Sequence, residues 1–262
     1  MHHANRLRLL ALLGIAAVAP LAAQIDYTRP GVAYVQDFNL PAAAETALLD
    51  WTDNVTIPGW FAAYFDGKRF VWSTPVHLLP TSGVGRNEFA FYLYRTESPR
   101  GTTTATGPRR VDAALGAQPS DARCPGVDAG GMFYGVALAN RTNSTLRTLR
   151  LSYRVELWRV SSAPGPQQTL SVSCGVGNGN IVDGEWLPVP GSVYTTPRGG
   201  EGSSPQSVDG NAPENVTTFA DLELGGLAIA PGQTVWIRWF DVNNRSADHG
   251  VGIDDVRITL LP

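Results

Sequence analysis

Residues 147–158 read RTLRLSYRVELW. Leu149, Leu151, Tyr153, Val155 and Leu157 alternate with Arg150, Ser152, Arg154, Glu156 and Trp158. Successive side chains of a strand point to opposite faces. Strict alternation over this length therefore predicts an antiparallel strand with its apolar face on a core and its polar face toward solvent. The segment Thr169 to Cys174 repeats the pattern, with Leu170, Val172 and Cys174 facing inward. Met132 to Leu138 and Val235 to Phe240 are apolar on both faces, as expected of central strands. Between these runs lie turn-rich stretches at 101–107, 175–180 and 197–210. The stretch AAAETALL at 42–49 favours a short helical patch, and no convincing amphipathic helix accompanies it. The pattern predicts an all-β protein: a two-sheet antiparallel β-sandwich, jelly-roll-like, forming one domain over residues 24–262.

The chain has 262 residues. It starts with His2, His3, Arg6 and Arg8, then an apolar run from Leu9 to Val18 and the small-residue exit Leu21-Ala22-Ala23. This is the layout of a secretory signal peptide over residues 1–23, and the run is well short of the roughly 20 residues a membrane span needs. The expected location is secreted, extracellular or periplasmic, with no membrane span. Removing residues 1–23 takes away Arg6 and Arg8 and leaves 18 basic against 23 acidic side chains, a net charge of −5. With no basic cluster, that balance excludes nucleic acid as the main partner. A single lysine, Lys68, amid frequent Arg, Ala, Gly and Pro reads as GC-rich bacterial coding. Cys124 and Cys174 lie in a chain expected to reach an oxidising compartment, so a structural disulfide between them is the expectation.

Three constellations bear on function. In the last strand, GIDDVRITLL, Val256, Ile258 and Leu260 facing the core would turn Asp254 to the same side and Asp255 to the other. A buried carboxylate needs compensation, which calcium, backbone N–H groups or an arginine can each provide. The calcium reading takes Asp254 with Asp37 and Asp241 as ligands. The loop from Asp241 to His249 is rich in Asp and Asn but lacks the glycine and terminal glutamate of a helix–loop–helix calcium site. The third constellation is the polar face of the 147–158 strand. Trp158 beside Arg154 and Glu156 reads as a ligand-binding surface, because exposed aromatic rings stack on sugar faces. A glycosidase would need a second carboxylate on that strand face, and none stands at i+2 or i+4 from Glu156. A Gly-x-Ser-x-Gly elbow is absent as well.

Four segments together resemble an uncharacterised exported bacterial β-sandwich domain. They are WTDNVTIPGWFA (51–62), GVALANRTNSTLRTLRLSYRVELWR (135–159), VDGNAPENVT (208–217) and LAIAPGQTVWIRWFDVNNRSADHGVGIDDVRI (227–258). That domain occurs in surface proteins with sorting signals of the PEP-CTERM kind and beside extracellular nuclease or phosphoesterase modules. The resemblance implies a sandwich fold and brings no catalytic residue with it. The segment 109–131 keeps Ala114-Leu115-Gly116 but adds a cysteine-containing insertion, and the end at Pro262 fits a free rather than an anchored form. The expectation is a secreted, non-catalytic binding or surface-interaction module directed at polysaccharide or a cell-surface component. Its rivals are an extracellular metal-dependent hydrolase using Asp241, Asp248, His249 and Asp254, and a purely structural envelope component.

Overall fold

The computed structural model describes residues 24–39, 49–68, 70–71, 77–81, 91–95, 112–121 and 124–262. The segment 1–23 lies outside them. So does most of the expected helical patch, except Leu49, which opens a strand. Strands β1 (Ile25–Tyr27), β2 (Tyr34–Gln36), β3 (Leu49–Asp50), β4 (Trp60–Phe65), β5 (Phe70–Val71) and β6 (His77–Thr81) come first. The middle of the chain supplies β7 (Phe91–Arg95), β8 (Ala113–Ala117), β9 (Gly131–Asn140), β10 (Thr148–Val160) and β11 (Thr169–Val176). Then follow β12 (Leu187–Pro188), β13 (Tyr194–Thr195), β14 (Gln206–Ser207), β15 (Val216–Leu224), β16 (Thr234–Val242) and β17 (Gly250–Leu261).

These strands make two sheets. The first runs β12-β11-β16-β9-β4-β5, with β1 on β9 and β13 on β11. The second runs β14-β10-β17-β8-β7-β6-β3, with β15 on β10 and β2 on β17. Most pairs are antiparallel; β1 with β9 and β6 with β7 are parallel. The all-β sandwich read from the alternation is the observed fold. Among the described residues no helix is long and apolar enough to cross a membrane.

The core lies between the sheets. Trp60, Tyr134, Ile237 and Trp239 from the first sheet meet Leu151, Tyr153, Val155 and Ile253 from the second. Trp60 and Trp239 stack at 5.7 Å, and Tyr153 meets Trp239 edge to face at 5.6 Å. Each such aliphatic or aromatic side chain gains about 1.5–3 kcal/mol from burial, which makes this alternation the main source of stability. As the apolar runs predict, β9 and β16 are the central strands of the first sheet and are buried almost throughout.

Two bulges interrupt the pairing of β10 with β17. Ser152 pairs with Arg257 and Arg154 with Asp254, so Asp255 and Val256 together face the single residue Tyr153. Asp255 adopts φ +50°, the left-handed region that an extra residue in a ladder often needs. At the other end, Leu157 pairs with Val251 and Arg159 with Gly250, leaving Trp158 as the inserted residue. The first bulge changes the reading of the last strand. Ile253 and Val256 both join the core, and Asp254 turns to the outer face of the second sheet, not inward as uninterrupted alternation predicts.

Because Asp tolerates the left-handed region and β-branched residues do not, Asp255→Val should destabilise the fold by about 1–2 kcal/mol, whereas Asp255→Asn should stay close to wild type. Urea denaturation of the two variants checks this. Equal stabilities would show that the bulge does not depend on that backbone conformation.

Candidate functional site

Arg154, Glu156 and Trp158 share the outer face of β10, as the alternation requires, but that face is not open at Glu156 and Trp158. Trp158 is 1 % exposed and so is Glu156, while Arg154 remains accessible. Trp158 belongs to a ladder of rings lying flat on the second sheet: Tyr92 stacks on Tyr94 at 5.4 Å and Tyr94 on Trp158 at 6.0 Å. Outward-facing glycines make room for it. A Cβ on Gly252 would approach Tyr94 Cδ2 to 3.1 Å, and one on Gly250 would approach the Tyr94 hydroxyl to 2.7 Å. The segment 208–212 then closes over the indole. Val208 N–H donates to the Trp158 carbonyl at 3.0 Å, and a Cβ on Gly210 would run into the indole ring. The expected sugar-stacking role of Trp158 is therefore corrected: it is a packing residue beneath a loop.

Burial of this face leaves an acid pair. Glu156 Oε2 accepts the Trp158 indole N–H at 3.0 Å, while its Oε1 is buried without a hydrogen-bond partner. On the neighbouring strand Asp254, 2 % exposed, has an equally unpartnered Oδ1. Arg154 pairs with Asp254 and Glu156 with Gly252, which sets Glu156 and Asp254 diagonally next to each other on one face. Loss of water drives both carboxyls up, Glu156 to about 7 and Asp254 to about 9; repulsion from Asp112 and Asp255 adds to both, and repulsion from Glu156 adds to Asp254. Arg154 and Asp255 form an ion pair of 3.2 Å at the rim. A second carboxylate, absent from β10 itself, is thus contributed to this face by β17.

Asp241 stands elsewhere. It faces the interior from the end of β16, is 0 % exposed, and is joined by Gln168, whose Nε2 donates to Oδ1 at 2.6 Å. Its Oδ2, Gln168 Oε1 and the hydroxyls of Tyr134 and Tyr194 are buried without partners, and burial raises its carboxyl far above the usual range. Two buried donors and two buried acceptors around one carboxyl suit internal water. Asp37 lies within electrostatic range of Asp112. The ligand trio Asp37, Asp241 and Asp254 is therefore not brought together, and among the described residues no three His, Cys, Asp or Glu side chains gather to hold an ion.

The hydrolase set fails on geometry too. Asp254 is on the outer face of one sheet and Asp241 inside the sandwich. Asp248, 4 % exposed, caps its own loop by accepting the Asn244 N–H at 2.8 Å. Buried His249 takes the Ser161 N–H on Nδ1 at 3.4 Å, so its proton sits on Nε2, close to the Pro166 carbonyl at 3.1 Å and Ser161 Oγ at 3.3 Å. In that tautomer it cannot take a proton from Ser161. The expected disulfide is also corrected: Cys124 and Cys174 are free, buried thiols, each raised to about 12 by burial. Cys124 lies in the loop before β9, where its carbonyl accepts Asn243 Nδ2 at 2.8 Å, and Cys174 faces the core from β11.

The accessible aromatic surface is on the opposite side of the molecule, on the outer face of the first sheet. Trp236 and Arg238 point outward from β16 and fix the loop 177–186 above them. Trp236 Nε1 donates to the Asn178 carbonyl at 2.8 Å, and Arg238 Nη1 donates to the carbonyls of Ile181 at 2.8 Å and Val182 at 3.2 Å. The guanidinium is clamped between two rings, 3.6 Å from the Trp186 centroid and 4.1 Å from that of Phe133. Burial lowers Arg238 to about 9. Phe133 stacks on Phe240 at 4.3 Å, and Phe240 meets Phe65 at 6.1 Å. The result is a strip of Phe65, Phe240, Phe133 and Trp186, of which Phe65, Phe240 and Trp186 are only half-buried. Sequence reasoning passed over Trp186. The signal for it was a tryptophan in the turn segment GNGNIVDGEW at 177–186, where no strand exists to bury it.

No family model and no curated protein matches the chain. Among solved structures, the xylan-binding CBM22-1 domain of Paenibacillus barcinonensis Xyn10C is 12% identical, with 60% of this chain and 78% of that one covered at a TM-score of 0.27. The K1 cleaved adhesin domain of Lys-gingipain from Porphyromonas gingivalis W83 is 11% identical, covering 87% of this chain and 98% of that one at 0.35. The Stig cyclase Fisc from Fischerella sp. TAU is 14% identical, covering 88% and 99% at 0.33. Likeness at this level carries no argument about activity, so function is read from the chain's own residues.

Two outcomes follow from this geometry. Gly210→Ala should displace the 208–212 segment from Trp158, visible as increased quenching of tryptophan fluorescence by acrylamide; unchanged quenching would place the cover elsewhere. Asp248 is raised to about 8 by burial, so the folded chain holds a proton that the unfolded chain releases near pH 4. Its contribution is complete below about pH 4 and is lost as pH rises toward about 8. Asp248→Asn should flatten that decline in a pH series of urea midpoints, and parallel wild-type and variant curves would contradict the assignment.

Proposed function

We propose that the chain is an exported, non-catalytic binding module that takes a carbohydrate polymer on the aromatic strip of the first sheet. One observation carries this reading: the Trp186–Arg238–Phe133 stack, continued by Phe240 and Phe65, forms a row of rings on a rigid sheet in which Trp186, Phe240 and Phe65 are partly accessible and Phe133 is buried beneath them. Exposed apolar surface of this kind marks interaction sites. Aromatic faces carry a negative quadrupole that suits the slightly positive C–H face of a pyranose ring, and a row of rings fits a chain of sugar units better than a single one. The clamp on Arg238 holds Trp186 in place before any ligand arrives, so little ordering cost falls on binding. Exposed polar groups of the same loop, among them Asp183 and Glu185, stand beside the rings and can meet sugar hydroxyls.

The non-catalytic reading is supported by the closure of the acidic and His-containing clusters. Glu156, Asp254, Asp241, Asp248 and His249 are each at most 4 % exposed, so no substrate reaches them without prior opening. A polar groove on the 147–158 strand, the first surface to suggest itself, is filled by protein.

Affinity electrophoresis and a glycan array on the residue 24–262 chain test the proposal. Retention by at least one soluble polysaccharide is expected. Trp186→Ala and Phe240→Ala should each weaken it by roughly tenfold or more, in line with loss of about 1–3 kcal/mol of ring contact. Trp186→Leu keeps an apolar cover over Arg238 while removing the flat face, and should fail to bind although its melting temperature is preserved. Val55→Ala, at an exposed site, should bind like wild type. Binding that is indifferent to Trp186 and Phe240 would overturn the assignment of the strip.

A further inference from the structure

We infer, on the basis of the carbohydrate reading above, that the ligand of the aromatic strip is an uncharged polysaccharide and that the same surface refuses chains carrying carboxylate or sulfate groups. The outer face of the first sheet has two tracks. One is the row of rings. The other lies on β11, where Leu170, Val172 and Cys174 face the core and alternation turns Thr169, Ser171 and Ser173 outward. Ser171 is paired with Phe240 and Ser173 with Arg238, so the hydroxyls run directly beside the rings. A hydroxyl both donates and accepts, which suits the hydroxyls of a sugar chain whose ring faces rest on the aromatic track.

Charge decides which sugars fit. Among the described residues, the outward side chains of β11, β16, β9 and β4 include one charged group, Arg238. It is 9 % exposed, and its Nε donates to Ser173 Oγ at 3.2 Å. Its Nη1 and both faces of its guanidinium are taken by the loop carbonyls and the two rings. An incoming anion therefore finds no accessible cation on these strands. Beside Trp186 stand the exposed acids Asp183 and Glu185. At the other end the segment 126–130 packs against Phe65 and Asp66. There Asp66 and Lys68 balance in sign, as do Arg245 and Asp128, an ion pair of 3.5 Å. A carboxylate laid on the rings would lose water without gaining a partner, and it would meet like charge at the Trp186 end. An uncharged chain loses only hydroxyl hydration, which the β11 track replaces with hydrogen bonds.

The test measures binding of the protein to plates coated with galactomannan, arabinoxylan or hydroxyethyl cellulose as uncharged polymers, and with polygalacturonate or alginate as carboxylated ones. Binding to at least one uncharged polymer is expected, with both carboxylated polymers weaker by at least about tenfold. Binding to the uncharged polymer should change by less than about twofold between about 20 and about 500 mM NaCl, since it makes no ionic contact. Ser171→Lys sets an ammonium group beside Phe240 and should strengthen binding to polygalacturonate several-fold, a gain that salt removes. Glu185→Lys should act in the same direction and decides the matter if Ser171→Lys does not fold. Glu214→Lys adds positive charge at an exposed site before β15, on the second sheet, and should keep the wild-type selectivity. If no polymer binds, the carbohydrate reading itself fails. If a carboxylated polymer binds as strongly as the uncharged ones and Trp186→Ala still weakens it, the carbohydrate reading stands and the charge selection is overturned. A gain in Glu214→Lys equal to that in Ser171→Lys would overturn it as well, because net charge and not the strip would then set the preference.

Discussion

The inserted residue Asp255 is the constraint on which the second sheet depends. With a left-handed backbone at this position, Ile253 and Val256 both reach the core, although an uninterrupted strand would send one of them outward. Val251, Ile258 and Leu260 keep their places on the same inner face. The cost of one unusual backbone conformation is offset by burial of this apolar face along a strand of twelve residues, the longest partner of β10. The same insertion turns Asp254 outward and lifts Asp255 to the rim, where Arg154 meets it.

That shift generates the acid pair. Glu156 is fixed by the alternation of β10, and Asp254 arrives beside it only because β17 is out of phase with a regular ladder. The Tyr92–Tyr94–Trp158 ladder and the glycines beneath it then bring the 208–212 segment close enough to exclude water. Charge, packing and loop position are coupled here: an open face would leave both carboxyls hydrated and ordinary. The first sheet handles its buried charge differently. Arg238 is compensated by carbonyls of the loop it holds down and by two ring faces, and the part of the strip left uncovered is the proposed binding surface.

Much of the fold was legible because alternation is a local property. Leu149 to Leu157, Leu170 to Cys174 and the doubly apolar β9 and β16 occupy the positions their periodicity predicts. The candidate site was less so. Arg154, Glu156 and Trp158 do share a face, yet the face is covered by a segment some fifty residues further along the chain, and no local pattern announces that cover. Trp186 was overlooked because a tryptophan in a turn looks like any other until its neighbours are known. Cys124 and Cys174 looked like a pair because two thiols in an exported chain commonly are, but pairing depends on backbone positions that composition does not contain.

By itself the sequence determined which residues alternate, hence which strands exist, which faces are apolar and that two sheets must close on each other. Only the tertiary structure decided where the alternation slips, which loops lie over which faces and therefore which carboxyls and rings meet. The physical reason is range. Side-chain direction along a strand follows from bonds between adjacent residues, whereas burial of Glu156 beside Asp254, or exposure of Trp186 above Arg238, depends on segments brought together by the fold.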